Sequence, residues 1–246
     1  MKLNLFIILL IVFFKHNYAL TPSSLNIWVT WNVGQGQWVT HILPDECIHY
    51  DAGGEFGSFF VVKKTLLYFC GNKQNILNLT HWDYDHFLNI PRLAKTMPKL
   101  CWQFKPSFAA YKVQAQKILD LNISDCGPNL HYFSNWVPKE SRDTNASSSI
   151  FYDKGVLLTG DSPINQEKIW IHELNVSSTK ILILGHHGSR TSTGRDLLSA
   201  LPNLTFSISS ARFAKYKHPH KDTLKRLTEF NIPILKTEDW GNIWFY

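Results

Sequence analysis

The four cysteines of this 246-residue chain, Cys47, Cys70, Cys101 and Cys126, include no C-x-x-C pair, and none adjoins the densest group of histidines and aspartates. A zinc ribbon is therefore not expected. An even count permits two disulfides if the chain is exported, in any of three connectivities, with free buried thiols as the alternative. Past residue 20 no apolar run approaches membrane-spanning length, and no low-complexity segment or internal repeat occurs. Acidic residues are also scarce late in the chain. Up to residue 230, Asp196, Asp222 and Glu229 stand alone against Arg190, Arg195, Arg212, Lys215, Lys217, Lys221, Lys225 and Arg226. Such clustering is either a solvated face or a phosphate-attracting surface.

The first residues differ from the rest, with a short cationic start, an apolar run from Leu5 to Phe14 and a polar stretch ending at Ala19. This pattern is expected of a secretory signal peptide, residues 1–19, cut near Ala19-Leu20, with an uncleaved anchor as the alternative. Export places the mature chain in a secreted or periplasmic setting with no stable membrane span after cleavage. Losing Lys2 and Lys15 lowers the formal charge from +6 to +4. The remainder, residues 20–246, is long enough for one large α/β domain with a substantial core.

Runs at Asn26–Trp31 and Trp38–Leu43, separated by Gly34-Gln35-Gly36, predict a hairpin, and Ile48–Tyr50 supplies a third strand ending at Asp51-Ala52-Gly53-Gly54. The spacing then predicts a helix over 58–68 and a strand over 76–79. Further on, helices are expected over 88–95 and 109–121 with a strand over 99–104 between them. A second β series follows, with strands over 149–152, 156–159, 180–184 and 205–209 and helices over 164–173, 196–200 and 221–230. Strands over 232–235 and 242–245 close the sheet.

Directly after the 76–79 strand, His81-Trp82-Asp83-Tyr84-Asp85-His86 crowds four ligand-type residues into six positions. A tight turn leaving a strand end aims residues i, i+2, i+4 and i+5 into one cavity, the place where α/β proteins put ligands. Imidazole and carboxylate together suit Zn²⁺, Mn²⁺ or Fe²⁺, and two such cations about 3.5 to 4 Å apart activate a water. Asp161, after Val156–Thr159, and His186, after Ile181–Leu184, occupy equivalent strand ends. Three loops thus converge on one point.

These residues in this order resemble the metallo-β-lactamase fold, whose usual motif is H-x-H-x-D-H. A narrower resemblance, to the hydrolase domain of ComEC-type competence proteins, rests on five ordered motifs: Asn32–Gly36, Thr80–His86, Leu158–Asp161, Gly185–Ser189 and Tyr216–His220. It covers the chain from about Leu25 to Tyr246 and implies a four-layer αββα sandwich. The resemblance also implies two divalent metal ions, Zn or Mn. His81 and Asp83 would hold one, Asp85, His86 and His186 the other, and Asp161 would bridge them. Asp83, where the superfamily has His, makes its site harder and more tolerant of Mn²⁺. Asp51 matches an aspartate that braces the ligand loop by hydrogen bonds.

The chemistry this implies is phosphodiester hydrolysis, with nucleic acid or another phosphoester as substrate. Asp85 and His218 are the residues assigned catalytic work. His218 or His220 is placed to protonate the leaving oxygen or hold a phosphate, against a structural His-Pro turn as the alternative. His187 is expected behind the ligands or facing substrate, with Ser189 and Arg190 offering further donors. Trp82 and Trp31 are candidates for a wall on which a base stacks. His41, His49, His131 and His172 read as structural or surface residues. Asn32 and Gln37 stand where ComEC-type domains carry Asp, and Phe87-Leu88-Asn89 replaces a glycine-containing continuation. The first pair is expected to remove two negative charges from the rim of the site. Two alternatives remain at this point: hydrolysis of a carbon ester, amide or lactone on the same metals, and a secreted binding module with a degenerate site. Five Asn-x-Ser/Thr sequons occur, one of them at Asn78 beside the hexapeptide.

Overall fold

A computed structural model of the protein describes residues 26–106, 113–127, 133–139, 141 and 143–246. The expected leader, His131 and the opening of the expected 109–121 helix lie outside the described residues.

The chain begins as an antiparallel meander of β1 (Ile27–Thr30), β2 (Val39–Ile42) and β3 (Glu46–Tyr50). Helix α1 (Ser58–Cys70) crosses over to β4 (Gln74–Asn78), which pairs parallel to β3. Two short helices, α2 (Tyr84–Phe87) and α3 (Ile90–Thr96), lead to β5 (Leu100–Phe104), parallel to β4. After α4 (Val113–Leu119), a second series runs β6 (Ser134–Trp136), β7 (Ile150–Asp153) and β8 (Val156–Leu158), antiparallel throughout. Helix α5 (Ile164–Glu173) then carries the chain to β9 (Ile181–Ile183), and α6 (Arg195–Ser199) to β10 (Phe206–Ser209); β8, β9 and β10 pair parallel. The last elements are α7 (Phe213–Tyr216), α8 (Lys221–Glu229), β11 (Ile234–Lys236), α9 (Thr237–Trp240) and β12 (Ile243–Phe245).

Two six-stranded sheets result, in the orders β12-β1-β2-β3-β4-β5 and β11-β10-β9-β8-β7-β6. The final two strands do not close one sheet as the sequence pattern predicts. β11 edges the second sheet, whereas β12 returns to β1, where Phe245 lies nearly parallel to the Trp28 ring. The reversal follows Gly241, whose φ of 73° favours glycine.

Period-two alternation sorts the strand residues into three apolar layers. Ile48 and Ile76 of the first sheet meet Phe151, Leu158, Ile183 and Ile208 of the second between the sheets. Their neighbours Cys47 and Leu77 point outward, onto Phe59, Val62 and Leu66 of α1 and Ile90 and Leu93 of α3. Leu157 and Leu182 point outward from the second sheet, onto Trp170 of α5, Leu197 of α6 and Leu227 of α8. Each aliphatic side chain so buried contributes about 1.5–3 kcal/mol, which makes the layering energetically decisive. The architecture is therefore helix, sheet, sheet, helix.

Disulfides join Cys47 to Cys70 and Cys101 to Cys126, choosing one of the three connectivities. Asn78 is fully buried on β4 and donates to Gln103, so its sequon is closed to modification in the folded chain. Among the described residues no helix is long and apolar enough to cross a membrane.

Candidate metal centre

Because β3 and β4 are parallel, as are β8, β9 and β10, their carboxyl ends open on one side of the molecule. Asp51 follows β3, Thr80 and His81 follow β4, Asp161 follows β8, His186 and His187 follow β9, and Ser210 follows β10. The strand ends thus bring together what the sequence scatters.

Two groups of side chains with the reach to hold a cation form there: His81, His86 and Asp161, and Asp85, His86 and His187. Asp161 spans both. Its Oδ2 lies 3.8 Å from His81 Nε2 and 3.5 Å from His186 Nε2, and its Oδ1 lies 3.1 Å from His86 Nε2 and 3.8 Å from His187 Nε2. Asp83 Oδ2 stands 3.4 Å from His81 Nε2 and accepts from Thr144 Oγ1, while Asp85 Oδ2 is 3.2 Å from His187 Nε2.

Orientation of the rings comes from the protein. Asp51 Oδ1 accepts from the Thr80 amide and hydroxyl, and its Oδ2 accepts from Gln37 Nε2 and His86 Nδ1. His81 Nδ1 sits 3.0 Å from Thr80 Oγ1, and His187 Nδ1 donates to the Ser210 carbonyl at 3.0 Å. In all three rings Nδ1 is engaged and Nε2 is turned into the site, the arrangement that fixes a metal-binding tautomer. His81 Nε2 and Asp161 Oδ1 are buried without a hydrogen-bond partner. Such atoms are costly to bury unless a cation or proton answers them, so the donor set fits divalent metal.

The electrostatics agree. Burial alone would raise Asp161, but His86, His187 and His81 around it hold its carboxyl well below the usual carboxylate range. Burial likewise acts against positive charge on His86 and His187, yet Asp161 with Asp51 raises His86 well above the usual imidazole value, and Asp161 with Asp85 raises His187. The cluster is built to attract positive charge.

Glycines let the loops close on the ligand helix. A side chain at Gly53 would fall 1.6 Å from the Asp85 carbonyl, and one at Gly36 2.5 Å from the same oxygen. That carbonyl accepts from the amides of Gln37 and Gly54, so the Val33–Gly36 turn and the Ala52–Gly54 turn clamp α2.

The remaining candidate residues take distinct places in the fold. His187, rather than His186, lies against Asp85 and His86, buried where His186 is part-exposed with an unpartnered Nδ1. Both residues adopt left-handed backbone, φ 48° and 57°, and this kink turns the two adjacent rings to different sides. His220 caps a helix: its Nδ1 accepts from the Asp222 amide at the start of α8. The Ser189 hydroxyl is 3.0 Å from that of Thr191, and the Arg190 side chain is exposed while its carbonyl is held by Arg226. Gln37 does not line the rim but is buried against Asp51, where a second carboxylate would face the first. Asn32 is half-buried, its amide donating to Asn242 Oδ1. Trp31 and Trp82 are both core residues, so they form no exposed stacking wall. His218 does reach the site, its ring centroid 5.8 Å from that of His186, and burial with His187 and His186 nearby lowers it to about 4.

Other residues acting on the centre were not legible beforehand. Ser210 orients His187, and Ser209 Oγ donates to the His187 carbonyl. Glu167, buried on α5, accepts from the amides of Thr193 and Gly194, while Arg226 on α8 donates to the carbonyls of Arg190, Ser192 and Thr193. Together they fasten the loop that follows His187. A lone glutamate and a lone arginine in amphipathic helices carry no such signal.

No protein-family model matches the chain. It is 28% identical over 222 residues to Recombination protein 2 of Haemophilus influenzae, covering 87% of this chain and 28% of that protein. To ComE operon protein 3 of Bacillus subtilis it is 30% identical over 126 residues, covering 50% and 16%. To Competence protein ComA of Neisseria gonorrhoeae it is 23% identical over 244 residues, covering 97% and 35%. The chain thus spans about a third or less of the length of these curated relatives. Among solved structures, the metallo-β-lactamase fold protein YhfI of Bacillus subtilis superimposes with a TM-score of 0.56 at 13% identity, over 89% of this chain and 99% of that one. A diphosphatase from the PhnP family gives 0.53 at 12% identity, over 89% and 97%.

Proposed function

We propose that this chain, which has the metallo-β-lactamase fold and is weakly related to competence proteins, is an exported metal-dependent hydrolase of phosphodiesters, with DNA or a related phosphoester as substrate. The observation that carries the reading is the convergence of the Nε2 atoms of His81, His86 and His187 on Asp161 and Asp85. His81 and Asp83 would hold one divalent ion, and Asp85, His86 and His187 the other, with Asp161 shared. When bound, two such ions lower the pKa of a water toward about 7 and neutralise a phosphate oxygen.

The chain's own groups supply the rest. Burial would raise the Asp85 carboxyl, but the hydrogen bond and charge of His187 and the charge of His86 hold it well below its usual value, so it stays ionised, suited to hold a cation and to orient the attacking water as a hydrogen-bond acceptor. His218, neutral at pH 7, offers an N–H to a phosphate or leaving oxygen without competing for positive charge. The half-exposed side chains of Arg212 and the neighbouring exposed Lys215 and Lys217 make the C-terminal side of the site attractive to a polyanion. Two disulfides suit an oxidising compartment outside the cytoplasm, which supports export.

A hydrolysis panel tests this reading. Metal-stripped protein is given Mn²⁺ or Zn²⁺ and assayed on single- and double-stranded DNA, RNA, a bis-aryl phosphodiester, a carboxylic ester and a β-lactam. Metal-restored cleavage of the phosphodiesters is the expected result. Turnover confined to the ester or the β-lactam would move the chain to carbon-ester or amide chemistry, and no turnover with a metal-free protein would leave a binding module.

A further inference from the structure

Arg212, in the segment after β10, and Glu55, in the turn after β3, form an ion pair, Nη2 to Oε2 at 2.7 Å, joining the two sheets at the strand ends where the site lies. Each partner is one or two residues from a group that touches the metal centre. The Gly54 amide donates to the Asp85 carbonyl, and the Ser210 carbonyl holds His187 Nδ1. The Arg212 amide is tied in turn to Gln35 Oε1, and Ser210 Oγ donates to the Gly36 carbonyl. The pair therefore lies on the Asp85/His187 side of the cluster.

Two details suggest that the pair is made to exchange. The Glu55 carboxylate rests in a notch that exists because residue 34 is glycine; a side chain there would stand 2.6 Å from Glu55 Oε2. The Arg212 side chain is 54% exposed, and a single carboxylate oxygen uses only part of its fork of donors. Of the neighbouring cations, Lys215 lies over Tyr216 and Lys217 over Phe213. A phosphodiester whose phosphorus lies at the metals would bring a second phosphate, or a free non-bridging oxygen, to this rim. Guanidinium takes phosphate oxygens in the same forked geometry that it offers carboxylates.

Resting on the phosphodiesterase reading, we propose that Arg212 is the substrate-phosphate clamp of this site and that Glu55 holds it in reserve, so that carboxylate is exchanged for phosphate as substrate enters. The pair then determines preference for polyanionic substrates with more than one phosphate.

The test is a double-mutant cycle on hydrolysis of a short oligonucleotide, combined with equilibrium binding of a phosphorothioate dinucleotide to the metal-free protein. Arg212→Ala is expected to raise KM at least tenfold and weaken binding similarly, with Arg212→Lys recovering part of the loss. Glu55→Gln is expected to lower KM several-fold, an effect falling below twofold in the Arg212→Ala background. Arg195→Ala, which breaks a comparably exposed pair with Glu229 on α6 and α8, is the control expected to change neither. The proposal is overturned if Glu55→Gln lowers KM equally in both backgrounds, which is simple repulsion. It is also overturned if both single variants lower Tm and leave KM and binding unchanged, which is a structural strap. Should wild-type protein cleave no phosphodiester, the phosphodiesterase reading fails on that observation, and undiminished dinucleotide binding by Arg212→Ala overturns the clamp separately.

Discussion

His86 and His187 face each other through Nε2 atoms 3.3 Å apart, each with its Nδ1 hydrogen already given away, to Asp51 and to the Ser210 carbonyl. Two imidazole lone pairs do not rest at that distance without positive charge between them. Asp85 and Asp161, 3.2 Å and 3.1 Å from the same nitrogens, make the demand for a cation stronger. This pair of rings, contributed by α2 and by the loop after β9, is the joint between the two sheets at the centre.

The first prediction concerns the neighbouring histidines. His187→Ala is expected to lose one bound metal per chain and to lower kcat/KM by more than about 100-fold, the scale of a lost first ligand. His186→Ala is expected to keep the metal and cost about tenfold or less, since its Nδ1 is unbraced and its ring is part-exposed. Metal content by elemental analysis, alongside kinetics, separates the two. Equal loss of metal in both variants would put His186 among the ligands.

Asp51 touches no substrate position but holds Thr80, Gln37 and His86 at once. Asp51→Asn is expected to lower metal affinity by about 10- to 100-fold, the range for residues that orient ligands. Restoring occupancy with excess metal should then restore most of the turnover. Metal titration followed by an activity assay at saturating ion checks both statements.

Glu167 sets a pH dependence of stability away from the metals. Burial lifts its carboxyl from 4.5 to about 7, against the amides of Gly194 and Thr193 and the charge of Arg226. A carboxyl raised on folding contributes stability that is complete below its unfolded value and is lost as pH rises through the folded one. Compared with Glu167→Gln, whose amide does not titrate, wild-type protein should therefore lose relative stability between about pH 4.5 and pH 7. Urea unfolding of the two proteins across that window measures the difference, and a wild-type advantage that grows with pH would reverse the sign.

Each disulfide closes a loop, with sequence separations of 23 and 25. Removing Cys47–Cys70 as the double serine variant is expected to cost about 3 kcal/mol in urea unfolding, the magnitude of loop closure for that length. It ties the amino end of β3 to the end of α1.

How much of this was legible follows from range. Alternation and helical spacing are local, so the strands leading to His81, Asp161 and His186 could be read directly, and the hexapeptide announced a centre at the end of β4. Which adjacent histidine meets Asp85 depends on two consecutive left-handed residues, φ 48° and 57°, and no side-chain pattern marks that. Gln37 looked like a missing charge because its partner, Asp51, is brought to it by β2–β3 pairing. β12 was placed in the wrong sheet for the same reason, since three residues carry no record of which distant edge they join. The exposed β6, Ser134–Trp136, has no buried face to give it a period and was not read as a strand.

Asp161 is the carboxylate that lies within 3.8 Å of ring nitrogens from both ligand groups, and Asp161→Ala in metal-restored protein is the most direct test of the centre. The wild type is expected to bind two divalent ions and cleave a phosphodiester. The variant is expected to keep its circular dichroism and cooperative unfolding while losing cleavage and at least one ion. Undiminished metal content and turnover in a folded Asp161→Ala protein would contradict the account.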